Sequence, residues 1–489
     1  MCEDSLKEQY ASVDAGVAER PAVAAIIRQI AVCAVLALGT VQAMAAESTT
    51  QAVTEEPQST AAVVPVAVTA EDSAAVDSQP PAQSQPASES QTISAILAET
   101  DAELEQIEAQ IEAGEYDTSK VWLEARIATI EKASHRFDPE LVRPITLLGD
   151  VLVGQGNLTG ALDSYGWAVH VQRVSTGLVS AGQIEIVYRE AEVYRTLGNW
   201  EEANKREEYA YHVLTSAFDP YDEALLPGVF HLADWYRRVH NVFSARVLYE
   251  HAVDIYSAHG KAGSLEAIPA LEGIADTYRL ERFPPFYISD SPNATYGSSL
   301  GKNKHFDVPV TVNNFPAGER ALQSIIRIRQ ENQQSAEQVA ESVLELADWY
   351  TLFEKTRRAH PLYQHAYEIL AADPDFDVVS YFAQPKLLHY PAPADPSPPP
   401  LAQRGKEALG YVQLACEVTP RGQVRSLKTI ASEPAGLMDF RVRKSFRASR
   451  YRPALVDGLP MATLDYSYRH EFPYFPTLDT QLAAGQSDE

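Results

Sequence analysis

A pattern of small and large residues recurs every 42 positions from Gly149 onward, and this period limits what the chain can fold into more than any other feature. Small residues occupy three repeating positions: Gly149, Ala191, Ala233 and Ala275; Ala161, Ala203 and Ala245; and Ala168, Ala210 and Ala252. Asn157, Asn199 and Asn241 keep the same step, at points where one helix would end and the next would be capped. Each unit is therefore predicted to be a helical hairpin, and successive hairpins are predicted to stack as an α-solenoid.

Two departures from the period shape this predicted solenoid, which we place at residues 93–390. The word LADWY at Leu232–Tyr236 returns at Leu346–Tyr350, and the 72-residue step from Tyr278 to Tyr350 reveals an insertion within one hairpin. We place the insertion in the turn of that hairpin, at about residues 283–315, and predict that it folds over the solenoid and shapes its groove. A first hairpin at about residues 93–135 departs from the pattern and is interpreted as a capping unit.

The pattern of small residues resembles the tetratricopeptide repeat (TPR), in the 42-residue form of the kinesin light chains. The resemblance implies a mainly α fold that binds proteins or peptides through a concave surface. It implies no enzymatic activity.

Residues 1–45 have the features of a secretory signal peptide. Arg28 precedes the apolar run Ile30–Leu38, and Ala43-Met44-Ala45 supplies small residues for cleavage before Ala46. The predicted location is therefore the periplasm, and the alternative is a retained inner-membrane anchor that faces the periplasm. Residues 46–92 are rich in Ala, Ser, Pro and Gln and contain no aromatic residue, so we predict a disordered tether.

The net charge of −27 is unevenly distributed. Residues 47–400 contain 25 basic and 52 acidic side chains, whereas residues 401–475 contain 12 basic and 7 acidic ones. An acidic body of this kind argues against a nucleic acid partner.

A segment with six prolines, Pro391–Pro400, is predicted to link the solenoid to a small α+β domain at residues 401–475. Apolar side chains alternate along its first strand, at Val412, Leu414, Cys416 and Val418. A turn at Gly422, a second strand to about Ala431, a basic helix at about Leu437–Ser449 and a last strand follow. Residues 476–489 are predicted to be a disordered tail.

The order of elements and the sequence motifs of this domain resemble those of the TonB C-terminal domain, the periplasmic end of energy transducers that open outer-membrane receptors. The shared marks are Gly410-Tyr411-Val412, Gly422-Gln423-Val424, Asp439 fourteen residues before Pro453, and Gly458-x-Pro460. In that family a receptor peptide adds itself as a strand to the open edge of the sheet. The resemblance therefore implies a partner-binding edge strand with five residues on one face: Leu464, Tyr466, Tyr468, His470 and Phe472.

Two departures from the family pattern limit what this resemblance implies. The usual Tyr-Pro before the first strand is replaced by Pro399-Pro400, and the apolar N-terminal segment lacks the histidine of a motor-coupled anchor. Docking to an outer-membrane receptor is therefore favoured over coupling to an inner-membrane motor.

The C-terminal helix is predicted to present a basic patch: Arg441, Arg443, Lys444, Arg447 and Arg450. This patch is interpreted either as a solvated face or as a docking site for an anionic surface. Because the solenoid is acidic, we also predict that the patch docks on it, hides the edge of the sheet and is released by salt.

No catalytic residue, cofactor or metal site is predicted. The twelve histidines show no metal-ligand spacing, and Cys416 is interpreted as a small core residue. Three classes of function stay open: a periplasmic adaptor or transducer in TonB-type transport, a structural scaffold of the cell envelope, and an enzyme.

Overall fold

The computed structural model describes residues 102–285, 315–399 and 406–476. The predicted signal peptide at 1–45, the tether at 46–92, residues 286–314 of the insertion and residues 477–489 of the tail lie outside this part of the chain. The described residues form two compact units, which divide between Val213 and Leu214. No helix in the described part is long and apolar enough to cross a membrane.

Helical hairpins follow one another through both units. Helix α1 covers residues 102–112. The later helices are α2 Tyr116–Ala133, α3 Val142–Gly154, α4 Leu158–Thr176, α5 Ile184–Thr196, α6 Trp200–Ala217, α7 Leu226–Arg238, α8 Val242–Ala258, α9 Ile268–Arg282, α10 Phe315–Glu331, α11 Ala336–Leu352 and α12 Thr356–Ala371. Helices α3, α5, α7 and α9 begin 42 residues apart, which confirms the predicted period. Helix α9 ends at Arg282 and α10 begins at Phe315, on either side of the predicted insertion.

Small residues allow the two helices of each hairpin to approach closely. In the first unit Ala161 and Ala168 of α4 are fully buried. A Cβ atom added to Gly149 of α3 would lie 2.3 Å from the ring of Tyr165, so this position accepts no side chain. The Tyr165 hydroxyl donates a hydrogen bond to Asp150 at 2.6 Å. The repeated small residues are therefore packing positions, as the period indicates.

The same tyrosine–aspartate pair recurs in two hairpins of the second unit. The Tyr249 hydroxyl donates to Asp234 at 2.7 Å, and the Tyr363 hydroxyl donates to Asp348 at 2.8 Å. Each pair joins the two helices of one hairpin across fifteen residues of sequence. A polar bond at an equivalent place in three hairpins shows that the repeat conserves its packing geometry.

A small α+β region follows the last hairpin. After the short helix α13, Val378–Phe382, its strands are β1 Lys386–His389, β2 Ala408–Val418, β3 Val424–Glu433, β4 Arg450–Arg452, β5 Ala454–Val456, β6 Leu459–Met461 and β7 Thr463–Tyr474. Strands β3, β2 and β7 form one antiparallel sheet in that order, and helix α14, Asp439–Phe446, packs on β2 and β3. The predicted alternation of β2 is confirmed, since its four apolar side chains are buried.

Strand β1 precedes the proline-rich segment yet belongs structurally to the C-terminal region. It pairs antiparallel with β4, with Lys386 opposite Arg452 and Leu387 opposite Tyr451. Residues 386–389 were placed in the solenoid by sequence and instead extend the C-terminal strands. Such pairing over more than sixty residues leaves no local trace in the sequence.

Candidate interaction sites

Strand β7 forms one edge of the three-stranded sheet. Within the described part of the chain, it pairs with β2 and with no other strand, from Ala408 opposite Tyr474 to Val418 opposite Thr463. An edge strand has backbone N–H and C=O groups on its open side that another strand can pair with. The strand predicted to be an edge therefore lies at one, and it is twelve residues long.

The predicted face of β7 is correct for four of its five residues. Tyr466, Tyr468, His470 and Phe472 pack toward the core that β2 and α14 enclose. Leu464 is 71% exposed and does not share this face. The reason is a β-bulge next to Asp465, whose φ of 54° lies in the left-handed region and breaks the side-chain alternation.

The predicted basic patch is only partly a helix surface. Arg441, Arg443 and Lys444 lie on α14, and Arg447 lies at its C-cap. Arg450 lies instead on β4, because the helix ends at Phe446 and the chain turns through Ala448 and Ser449. The placement of Arg450 on the helix was therefore wrong.

The C-terminal region does dock on the last hairpin, but through strand β4. Arg452 makes two hydrogen bonds to Asp348 of α11, Nε to Oδ1 at 2.9 Å and Nη2 to Oδ2 at 2.6 Å. The two side chains retain 7% and 12% of their solvent exposure. Arg450 pairs with Glu354 at 2.7 Å in a more exposed position. We call these two ion pairs, with the apolar contact described next, the docking interface.

Apolar contacts surround the buried ion pair. Leu455 of β5 is 3% exposed and belongs to the same buried cluster as Tyr363 and Ala366 of α12. Gly458, in the turn of the β5–β6 hairpin, lies against Gln364 of the same helix. The docking interface is thus continuous with the hydrophobic core of the last hairpin.

An interruption of the repeat explains why Arg452 is needed. Glu192 and Arg195, Asp234 and Arg237, and Asp276 and Arg279 are ion pairs three residues apart, at equivalent positions of α5, α7 and α9. At the equivalent positions of α11 the residues are Asp348 and Thr351, so the last hairpin has no arginine there. Arg452 supplies the missing guanidinium. Thr351 is the signal in the sequence that could have pointed to this contact.

The docking interface is expected to resist salt, unlike the one that the sequence predicted. Screening shortens from about 10 Å at 0.1 M to about 3 Å at 1 M salt, but it acts weakly on buried pairs. Hydrogen exchange of β5 and β6 should therefore stay unchanged over that range, also after Arg441, Arg443, Lys444 and Arg447 are all replaced by serine. Faster exchange at high salt would show that exposed charges maintain the contact.

Docking does not hide the edge of the sheet. The described contacts with the last hairpin are made by β1, β4, β5 and β6, while β7 pairs with β2 alone among the described strands. The predicted masking of the edge strand was therefore wrong, because the C-terminal region docks through β1, β4, β5 and β6 and not through the basic helix.

A cavity of about 480 Å³ lies within the second unit, lined by α7, α9, α11 and β1 with single residues of α8 and α10. Its apolar walls include Phe230, Trp349 and Leu352, and Leu388 of β1 closes one side. Its charged lining residues are Asp234, Arg237, Glu272, Asp276, Arg279, Glu345 and Asp348. The sequence predicted a groove in the repeats, but none of these residues was among the predicted site residues.

Glu345 differs from the other carboxylates of the cavity. The protein atoms around it and the nearby carboxylate of Glu272 raise the pKa of Glu345 to about 7, although Glu345 is an exposed residue by its accessible surface. Arg329 opposes this rise, but its guanidinium is bound to Glu272 at 3.2 Å. Glu345 therefore titrates near neutral pH.

Within residues 102–285, 315–399 and 406–476, no group of His, Cys, Asp and Glu side chains could hold a metal ion. Cys416 is 3% exposed in the apolar core of the sheet, and burial raises the pKa of its thiol to about 11. A thiol in that state is a poor nucleophile at neutral pH, in agreement with its predicted role in the core.

Comparison with known proteins finds no matching family model and no matching curated protein. Among solved structures, BtubC from P. vanneervenii is 17% identical and matches 54% of this chain and 91% of its own, with a TM-score of 0.34. A putative kinesin light chain with TPR-like repeats from Podosopora anserina is 16% identical and matches 49% of this chain and 99% of its own, with a TM-score of 0.35. A STAND protein with a TPR sensor from Pyrococcus horikoshii is 14% identical and matches 55% of this chain and 36% of its own, with a TM-score of 0.35.

These similar structures are TPR-like repeat proteins. The chain's own elements make it a mostly helical repeat protein with a separate small sheet region at its C-terminus. The likeness concerns the fold alone.

Proposed function

We propose that this protein is an exported, non-enzymatic interaction protein that works in TonB-type outer-membrane transport. Its helical repeats bind one protein, and β7 receives a strand from an outer-membrane receptor. The observation that carries the proposal is the open edge of β7, a twelve-residue strand paired on one side only. The periplasmic location is part of the proposal and rests on the sequence of residues 1–45.

The arrangement around β7 supports strand addition. Tyr468 stacks on Phe446 of α14 with ring centroids 4.7 Å apart, and Tyr390 contacts both Tyr468 and His470. These rings hold the strand in place from one face while its backbone edge stays open. A preorganised edge lowers the entropy lost when a partner strand binds.

Synthetic peptides that copy N-terminal periplasmic segments of TonB-dependent receptors should protect the amides of β7 from hydrogen exchange in the full chain. The open edge of β3, on the other side of the same sheet, provides an internal comparison. Each peptide that binds is also made in two methylated versions. One version carries N-methyl groups on its odd-numbered residues, and the other carries them on its even-numbered residues.

Only one of the two methylated registers should lose binding, because a β-strand directs alternate amides to opposite sides. Equal loss in both registers, or protection of β3 instead of β7, would contradict strand addition at this edge.

A structural scaffold of the cell envelope is the second candidate, and the docking interface favours it. The buried Asp348–Arg452 pair holds the C-terminal region on the last hairpin, as a rigid structural role would require. A scaffold of this kind would bind its partners without engaging receptor peptides at β7.

A further inference from the structure

The cavity of the second unit contains five carboxylates, and four of them have a guanidinium partner. Asp234 and Asp276 both bind Arg237, and Asp276 also binds Arg279. Glu272 is paired with Arg329, and Asp348 with Arg452. Both arginines that line the cavity are therefore already engaged with carboxylates.

Glu345 is the fifth carboxylate. Within the described part of the chain, the structure shows no hydrogen bond or ion pair for it, and it faces the cavity from α11, one turn before Asp348 and Trp349. Four neighbours act on it through their charge: Glu272, Glu341 and Asp348 repel a negative charge there, and Arg329 attracts it. Glu345 is also exposed to solvent, so its carboxylate is accessible from outside as well as unpaired among the described residues.

We propose that the cavity binds one basic side chain, an arginine or lysine, of the protein that the repeats recognise, with Glu345 as its counter-ion. This inference rests on the proposed function only in that the cation belongs to a protein partner. It assigns the binding of the repeats to a specific place and a specific chemical group.

The shape and lining of the cavity suit such a side chain. Arginine and lysine carry apolar stems that pack on hydrophobic surface while the charged head meets a polar group. Phe230, Leu352 and Leu388 provide apolar walls, and Glu345 provides the acceptor. Leu388 comes from β1, which pairs with β4, so the docked C-terminal region completes the cavity.

Argininamide and its neutral isostere citrullinamide are the probes, measured by calorimetry and thermal shift on the full chain at pH 8. Argininamide should bind, and citrullinamide should bind at least about tenfold more weakly, because hydrogen bonds to a charged partner are the stronger ones. The substitution Glu345→Gln should reduce the affinity for argininamide by a similar factor. The matched control is Glu341→Gln, one turn earlier on the same helix and outside the cavity lining, which should leave the affinity within about twofold.

A stability measurement tests whether the Glu345→Gln variant is folded. The folded pKa of Glu345 lies above its ordinary value, so the glutamate form loses stability as the pH rises from about 4.5 to about 7. The melting temperature of Glu345→Gln relative to the natural chain should therefore increase between pH 5 and pH 8. A variant that is more stable but binds less is the pattern of a binding residue and not of a structural one.

Equal binding of argininamide and citrullinamide, or unchanged binding by Glu345→Gln, would overturn the inference. Tighter binding of putrescine than of argininamide would overturn the assignment to a partner's side chain and indicate a free amine. Protection of β7 by receptor peptides is measured separately, so the proposed strand addition can hold when the cavity assignment fails.

Discussion

Replacing Arg452 by alanine is expected to destabilise the second unit by about 3–5 kcal/mol, the usual cost of leaving a buried charge without its partner. Asp348 would keep the hydrogen bond that it accepts from the Tyr363 hydroxyl but lose both hydrogen bonds from the guanidinium. The free energy of unfolding in urea, followed by tryptophan fluorescence, measures the loss.

Arg450→Ala is the matched control, since Arg450 also joins β4 to the last hairpin but pairs with the exposed Glu354. It should cost no more than about 1 kcal/mol. In a double-mutant cycle, Asp348→Asn should recover part of the stability lost in Arg452→Ala, because it removes the unpaired charge. An Arg452→Ala loss as small as that of Arg450→Ala would show that water reaches the pair.

Replacing Gly422 by alanine should destabilise the same region by about 2–5 kcal/mol. Its φ of 71° would cost an alanine about 1–2 kcal/mol, and overpacking adds about 1–3 kcal/mol. The added Cβ would lie 2.0 Å from the carbonyl oxygen of Tyr451 and 3.0 Å from Cγ2 of Thr351. Because Tyr451 belongs to β4, the clash should also speed hydrogen exchange in that strand.

Gly436→Ala separates the two causes of this loss. Gly436 has a φ of 80°, but no atom lies within 4 Å of the Cβ that an alanine would add. Its cost should therefore be only the backbone term, about 1–2 kcal/mol. Equal losses of stability from Gly422→Ala and Gly436→Ala would mean that the turn at Gly422 can move away from β4 at no cost in free energy.

The accuracy of the sequence predictions varied with the distance between the residues concerned. The positions of Ala161 and Ala168 in α4 followed from a period within one chain segment. The end of helix α14 at Phe446 did not, since the sequence pattern extended it to about Ser449. Basic residues such as Arg447 and Arg450 favour a helix, but residues 450–452 are held in β4 by pairing with β1, and this tertiary pairing overrides the local propensity.

The candidate sites show the same division. Alternation along the last strand was enough to predict the face of Tyr466, Tyr468 and Phe472, because strand geometry has a period of two. The bulge at Asp465 that removes Leu464 from this face depends on pairing with β2, which a single strand does not encode. The partner-binding role of these residues stays a prediction.

By itself, the sequence determined the helical hairpins, their 42-residue step and the apolar face of β2, since each depends on side-chain spacing within a segment. Only the tertiary structure decided that β1 joins β4, that Arg452 reaches Asp348 across 104 residues, and that Glu345 lacks a partner within the described residues. The physical reason is that burial and charge pairing depend on which distant segments meet. The free energy of those contacts comes from excluding water between surfaces, and no local pattern specifies where those surfaces lie.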